Sequence, residues 1–165
     1  MKILVVSDTH GRTDSLHEII NTGGFDTVFH LGDHAHDAEG LMGVKLYSVR
    51  GNCDRISDAP ESLAIELGGV RVLLTHGHRY GVKSDPLRLI YAAREAGARV
   101  CCFGHTHFPE IFEENGVLFV NPGSLSLPPG GYPPSYAVLS IEDGEASASL
   151  VGIYEGGLCR PLDLL

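Results

Sequence analysis

Apolar residues come in short β-branched runs, each cut off by glycine or a polar residue, and this rhythm predicts alternating strands and helices. The run Ile3-Leu4-Val5-Val6 predicts a buried strand over residues 2–7. Residues 14–21 read as a helix, with Thr13 or Asp14 as its cap and Gly23-Gly24 as its stop. A second buried strand is expected at 27–31, a short helix at 35–42 and a third strand at 45–49. That β-α-β-α-β order predicts a parallel sheet with ligands at the carboxyl ends of its strands.

Further on, residues 63–67 and 70–75 flank Gly68-Gly69, a hairpin signature. The clearest helix spans 85–96, with Asp85 as cap, Pro86 at the first position and Gly97 at the end. Leu87, Ile90 and Tyr91 share one side of it with Arg94 and are expected in the core. Residues 99–103 return to the sheet. Beyond Phe108, residues 111–114 and 117–120 flank Asn115-Gly116, and residues 136–141 and 146–153 flank Asp143-Gly144. Both dipeptides favour type I′ turns. The Pro/Gly-rich stretch 127–134 is too short to join independent domains. The expectation is one α/β domain over 1–165, its second half antiparallel, built of two packed sheets flanked by helices.

Composition narrows the function. The chain is 43% hydrophobic and 20% charged, with mean hydropathy +0.05, as in a globular domain rather than a disordered one. A net charge of −9 argues against gripping long nucleic acid with a basic face. A small phosphate substrate stays open, because local cations can reverse the field inside one pocket. No apolar stretch reaches the ~18 residues of a membrane span. No secretory signal follows Met1-Lys2, and the four cysteines lack CxxC spacing, so reduced thiols in the cytoplasm are expected.

The chemistry gathers just past the strands. Asp8 and His10 follow the first, Asp33 the second, and Asn52 and Asp54 the third. His76 and His78 follow residues 70–75, and His105 and His107 follow residues 99–103. One such residue is ordinarily a cap or turn residue; the ordered set points to metal. Carboxylate, imidazole and amide oxygen suit Mn, Fe, Zn, Ni or Mg, with no thiolate cage for soft ions. Ser7 and Ser124 read as hydrogen-bonding residues, since neither sits in a nucleophile elbow. Asn121 and Ser124 are expected to order a pocket loop. His30 reads as a buried hydrogen-bonding histidine, and His17, His34 and His36 as solvent-facing.

The series Asp-x-His, Gly-Asp, Gly-Asn-x-Asp, His and Gly-His-x-His resembles the calcineurin-like metallophosphoesterases. Gly51-Asn52-Cys53-Asp54 and Asn121-Pro122-Gly123-Ser124 bring it nearest to the small single-domain bacterial and archaeal phosphodiesterases of that superfamily. The resemblance implies a four-layer α-β-β-α sandwich of two mixed sheets. It also implies two divalent ions, manganese favoured: one held by Asp8, His10, Asp33 and His107, the other by Asn52, His76 and His105, with Asp33 bridging. Such a pair, about 3.5–4 Å apart, activates a bridging hydroxide for attack on a clamped phosphate. Asp33, Asn52, Cys53 and Asp54 are then the catalytic candidates, and His78, Asn52 and Cys53 the substrate contacts.

Many members carry histidine where this chain has Cys53. A thiol is a weak donor, and loss of a cationic one hurts a dianionic monoester more than a monoanionic diester. The expected activity is therefore hydrolysis of a small phosphodiester. The alternatives are a phosphomonoesterase or nucleotide phosphatase of the same fold, and a non-catalytic protein-binding scaffold, as in a retromer subunit of this fold. A homo-oligomer is compatible with all three.

Overall fold

The computed structural model describes residues 1–163. One sheet has six strands in the order β11 (Leu158–Pro161), β10 (Glu145–Tyr154), β9 (Ser135–Glu142), β1 (Lys2–Val6), β2 (Thr27–His30) and β3 (Lys45–Ser48). The other has five: β4 (Ser62–Leu67), β5 (Val70–Thr75), β6 (Val100–Cys102), β8 (Val117–Pro122) and β7 (Pro109–Glu114). Each sheet carries a parallel heart, β1-β2-β3 in the first and β5-β6-β8 in the second. Antiparallel strands flank the second heart on both sides and the first on its β1 side only, β3 being an edge.

The apolar strands are apolar on both faces because both faces are covered. In β1, Ile3 and Val5 join Phe29, Val72, Leu74, Val100 and Leu139 in the layer between the sheets. Leu4 and Val6 point the other way, onto Leu16, Ile19 and Ile20 of α1 (Thr13–Gly23). The second sheet does the same, with Leu73, Cys101 and Phe119 meeting Leu89 and Ala93 of α2 (Leu87–Glu95). The layers are therefore α-β-β-α, a sandwich of two mixed sheets.

The hairpin turns agree with their dipeptides. Gly68-Gly69, Asn115-Gly116 and Asp143-Gly144 have positive φ at both central positions, from 51° to 78°. Gly24 ends α1 in the left-handed conformation (φ 63°). Neither Thr13 nor Asp14 caps that helix with its side chain; Arg12 occupies the position.

Three expectations need correction, and one strand was not expected. The helix proposed for 35–42 contracts to a single 3-10 turn, Ala35–Ala38, with Gly40 and Gly43 at positive φ beyond it. Helix α2 is rotated from the expected face. Leu89 and Ala93, one turn apart, are fully buried and Ile90 partly so, while Leu87 (48%) and Tyr91 (55%) are exposed. The second half is not wholly antiparallel, because β8 runs parallel to β6, which the α2 crossover in turn sets parallel to β5. An unexpected edge strand, β11, pairs with β10; its residues are exposed and carry no alternation to reveal it.

Candidate metal centre

Five parallel strands end on one rim, three from one sheet and two from the other. Asp8 lies beyond β1, Asp33 beyond β2, Asn52 beyond β3, His76 beyond β5 and His105 beyond β6. The chain turns sharply at each place. Asp8, His10, Asp33, His34, His105 and His107 all have positive φ, between 42° and 68°. They are six of the eight non-glycine residues with positive φ among the described residues. Such backbone costs on the order of 1–3 kcal/mol per residue and persists where the surroundings impose it, often around a site.

The side chains close a ring of contacts. His10 Nε2 lies 4.0 Å from Asp33 Oδ2, which is 3.5 Å from His76 Nε2. His76 Nε2 is 3.9 Å from Asp8 Oδ1, and Asp8 Oδ1 is 3.0 Å from His107 Nε2. Two overlapping ligand groups result, Asp8-His10-His107 and Asp8-Asp33-His76, each with its ligand atoms within 4.8 Å of one another. The His105 ring stands 5.1 Å from that of His76. Buried Asp8 Oδ1, His10 Nε2 and His76 Nε2 have no hydrogen-bond partner. Buried polar atoms are almost always satisfied, so unpaired atoms of carboxylate and imidazole converging here fit a bound divalent cation.

The surroundings aim these atoms. Leu31 O accepts from His76 Nδ1 at 2.7 Å, and Leu127 O accepts from His107 Nδ1 at 2.7 Å. In each neutral ring this leaves the Nε2 lone pair facing the centre. Asp8 Oδ2 accepts from the Ser7 hydroxyl (2.6 Å) and from the His105 amide (3.2 Å), which turns Oδ1 inward. The motif glycines are required by space. A Cβ on Gly104 would overlap Ser7 Oγ, and one on Gly51 would overlap Asp33 Oδ1.

The field here favours cations. Burial alone would raise the pKa of Asp33, but His76, 3.5 Å away, and the Cys53 amide hold it well below the usual carboxylate range. Asp8 is lowered against burial by His107, His76 and Ser7. Burial lowers His76, yet Asp33 and Asp8 outweigh it and raise its affinity for a proton. His105 is drawn down to about 4 by burial and by the charges of His76 and Lys83, so its imidazole is neutral near pH 7.

The other candidates lie around this ring. Asn52 is exposed at the lip and donates from Nδ2 to Cys53 Sγ at 3.4 Å. Cys53 is exposed, and its amide donates to Asp33 Oδ1 at 2.9 Å. Asp54 is buried and spends both oxygens on backbone: Oδ1 accepts from the His34 and Ala35 amides (2.8 and 3.1 Å), Oδ2 from Gly51 (2.8 Å). His78 sits 5.4 Å from the His76 ring, its buried Nδ1 unpaired. His34 is not simply solvent-facing; its ring lies 5.0 Å from that of His10. Asn121 donates to Gly104 O and Thr106 Oγ1, and Ser124 Oγ donates to Asp8 O, as loop-ordering residues should.

Sequence reasoning passed over Asp37, whose Oδ2 accepts from the Thr9 hydroxyl and the Gly11 amide, both at 2.7 Å. Its signal was the run His34-Ala35-His36-Asp37 directly after a ligand. A groove of about 500 Å³ opens beside the centre, lined by His34, His36, Cys53 and Arg55 among others.

Residues 1–144 match the calcineurin-like phosphoesterase superfamily domain. The chain is 36% identical to the probable metallophosphoesterase YsnB of Bacillus subtilis, over 89% of this chain and 88% of that one. It is 34% identical to the phosphodiesterase YfcE of Escherichia coli, over 84% and 87%. Among solved structures, Vps29 of Entamoeba histolytica complexed with zinc is 27% identical and superposes with a TM-score of 0.80 over 99% of each chain. The converging ligands and these likenesses lead to one conclusion: the chain belongs to the calcineurin-like phosphoesterase superfamily and is a metal-dependent phosphoric ester hydrolase.

Proposed function

We propose that the protein is a phosphodiesterase that works with a pair of divalent ions. The observation that carries this reading is the set of unpaired buried atoms, Asp8 Oδ1, His10 Nε2 and His76 Nε2, with Asp33 Oδ2 between the two histidines. Asp8, His10 and His107 would hold one ion, and Asp33, His76 and His105 the other. Asp33 would be shared by both sets, since its Oδ2 lies 4.0 Å from His10 Nε2 and 3.5 Å from His76 Nε2. Asn52 completes the second set from the lip. Divalent ions in this place supply Lewis acidity, lowering the pKa of water and offsetting phosphate charge.

The protein's own residues do the rest. Ser7, Leu31 O and Leu127 O orient the ligands. Asp54 is a positioning residue: through the amides of Gly51, His34 and Ala35 it fastens the Asn52-Cys53 loop to the Asp33 loop. His78 and Cys53 are placed at the edge of the centre to meet the ester. Burial, then Asp33, pushes the Cys53 thiol up, so it is protonated near neutrality and offers no positive charge. A monoanionic diester tolerates that better than a dianionic monoester. The four cysteines are free, which supports a reducing cytoplasm as the compartment.

The test is steady-state hydrolysis of bis(p-nitrophenyl) phosphate by protein loaded in turn with manganese, zinc, nickel or magnesium. We expect turnover that a chelator abolishes and that Asp33→Asn removes without unfolding the protein. Full activity in that variant would overturn the paired-ion reading. The likeness to Vps29 favours a second reading, a non-catalytic protein scaffold; ions bound with no turnover of diester or monoester would select it.

A further inference from the structure

The paired-ion reading leaves a second group of ligand-type side chains unused. The 3-10 turn Ala35–Ala38 gathers His34, His36 and Asp37. His36 Nε2 lies 3.5 Å from Asp37 Oδ1, and His34 Nδ1 lies 4.0 Å from Asp37 Oδ2. The two imidazole centroids are 5.2 Å apart, and one ligand atom from each of the three residues falls within 4.8 Å of the others. The 3.5 Å separation is that expected between ligands of a tetrahedral zinc ion, whose metal–ligand bonds are about 2.0–2.2 Å, and rotation of the His34 and His36 rings would close the longer ones.

The fold imposes this grouping. His34 is held at φ 68°, ψ 45°, with its amide donating to Asp54. Asp37 is 6% exposed, and the Thr9 hydroxyl and Gly11 amide fix Oδ2. Oδ1 is left to face the His36 imidazole, while Oδ2 also lies 4.0 Å from His34 Nδ1. Among the described residues, the only ion pairs of Asp37 are those with His34 and His36; no lysine or arginine meets it. His30 lies behind it through Thr9, but burial draws that imidazole down to about 4, so it brings no charge at neutral pH. A buried carboxylate with no neutralising partner is costly, and a cation shared with the two imidazoles removes the cost.

We propose that His34, His36 and Asp37 form a third metal site, separate from the paired centre, for a zinc-like borderline divalent ion. Two imidazoles and one carboxylate leave a fourth position open, and His34 and His36 line the wall of the adjoining groove. Through His34, 5.0 Å from the His10 ring, the ion stands next to the paired centre while sharing none of its proposed ligands.

The test is metal stoichiometry by equilibrium dialysis and elemental analysis with zinc, repeated with cobalt, whose visible spectrum reports coordination. The full chain is compared with His36→Ala and Asp33→Asn. The His36 side chain is 64% exposed, so its removal leaves folding intact. We expect His36→Ala to bind about one equivalent less than the parent and to lose part of the four-coordinate cobalt spectrum. Asp33→Asn should keep that equivalent while losing ions from the paired centre. Equal stoichiometry in His36→Ala and the parent would overturn the third site and leave the paired centre untouched. Loss in His36→Ala with none in Asp33→Asn would keep the third site and overturn the paired one.

Discussion

In the proposed reaction, Cys53 stands where a cationic donor would help a dianionic substrate, and it supplies none. Its amide is tied to Asp33 and its thiol is exposed at the groove, so a larger ring can be accommodated there. Cys53→His should raise the monoester-to-diester rate ratio about tenfold, a modest part of the ~10²–10⁴ available from a well-placed proton donor. An unchanged ratio, measured with p-nitrophenyl phosphate and its bis ester, would end the specificity argument and leave monoester hydrolysis equally open. Ser7 acts at one remove. Its hydroxyl holds Asp8 Oδ2 at 2.6 Å, so Ser7→Ala should weaken ion binding about 10–100-fold. Titration calorimetry with manganese checks this; unaltered affinity would mean that the His105 amide orients Asp8 by itself.

At the level of elements, α2 shows how tertiary packing overrides a face drawn from periodicity. Leu89 and Ala93 are sealed against Leu73, Cys101 and Phe119, whereas Leu87 and Tyr91 look outward. Leu89→Ala should cost about 2–5 kcal/mol of stability, because it leaves a cavity in a closed layer. Tyr91→Ala should change stability by no more than about 0.5 kcal/mol. Urea denaturation of the two variants compares them; equal losses would refute the orientation of α2. At its N-terminus Pro86, expected as the first helical residue, takes the cap position instead of Asp85, whose Oδ1 still accepts from the Leu87 amide at 2.7 Å.

Across the whole molecule, the packing that builds the centre also buries a titratable group. His30 is fully buried; Gly32 N donates to its Nδ1, and its Nε2 proton is directed to Thr9 Oγ1. Its pKa falls from 6.5 to about 4, with burial as the main cause. Between those values the unfolded chain binds more protons than the folded one, so stability drops as pH falls through this window. The loss approaches about 3 kcal/mol near pH 4. His30→Gln should flatten that part of the stability profile relative to the parent, measured by denaturation from pH 7 to pH 4 with a chelator present. Parallel profiles would mean that His30 is not held neutral by the fold.

Much of this protein follows from local chemistry. The left-handed dipeptides Asn115-Gly116 and Asp143-Gly144 set their own turns, apolar runs mark doubly covered strands, and the metal-binding residue types stand directly after strands in chain order. These features depend on neighbours a few residues away, so the sequence by itself determines the fold class and the kind of chemistry. What it leaves open depends on contacts between distant segments. Asp8 is oriented by the His105 amide 97 residues on, and its carbonyl by Ser124, 116 residues on. Asp54, written as a catalytic candidate in the motif, becomes a backbone brace only when two strand-end loops meet. The same meeting holds His34 beside His36 and Asp37. Two sheets must pack before any of these oxygens and nitrogens acquires a direction, and no local propensity encodes that.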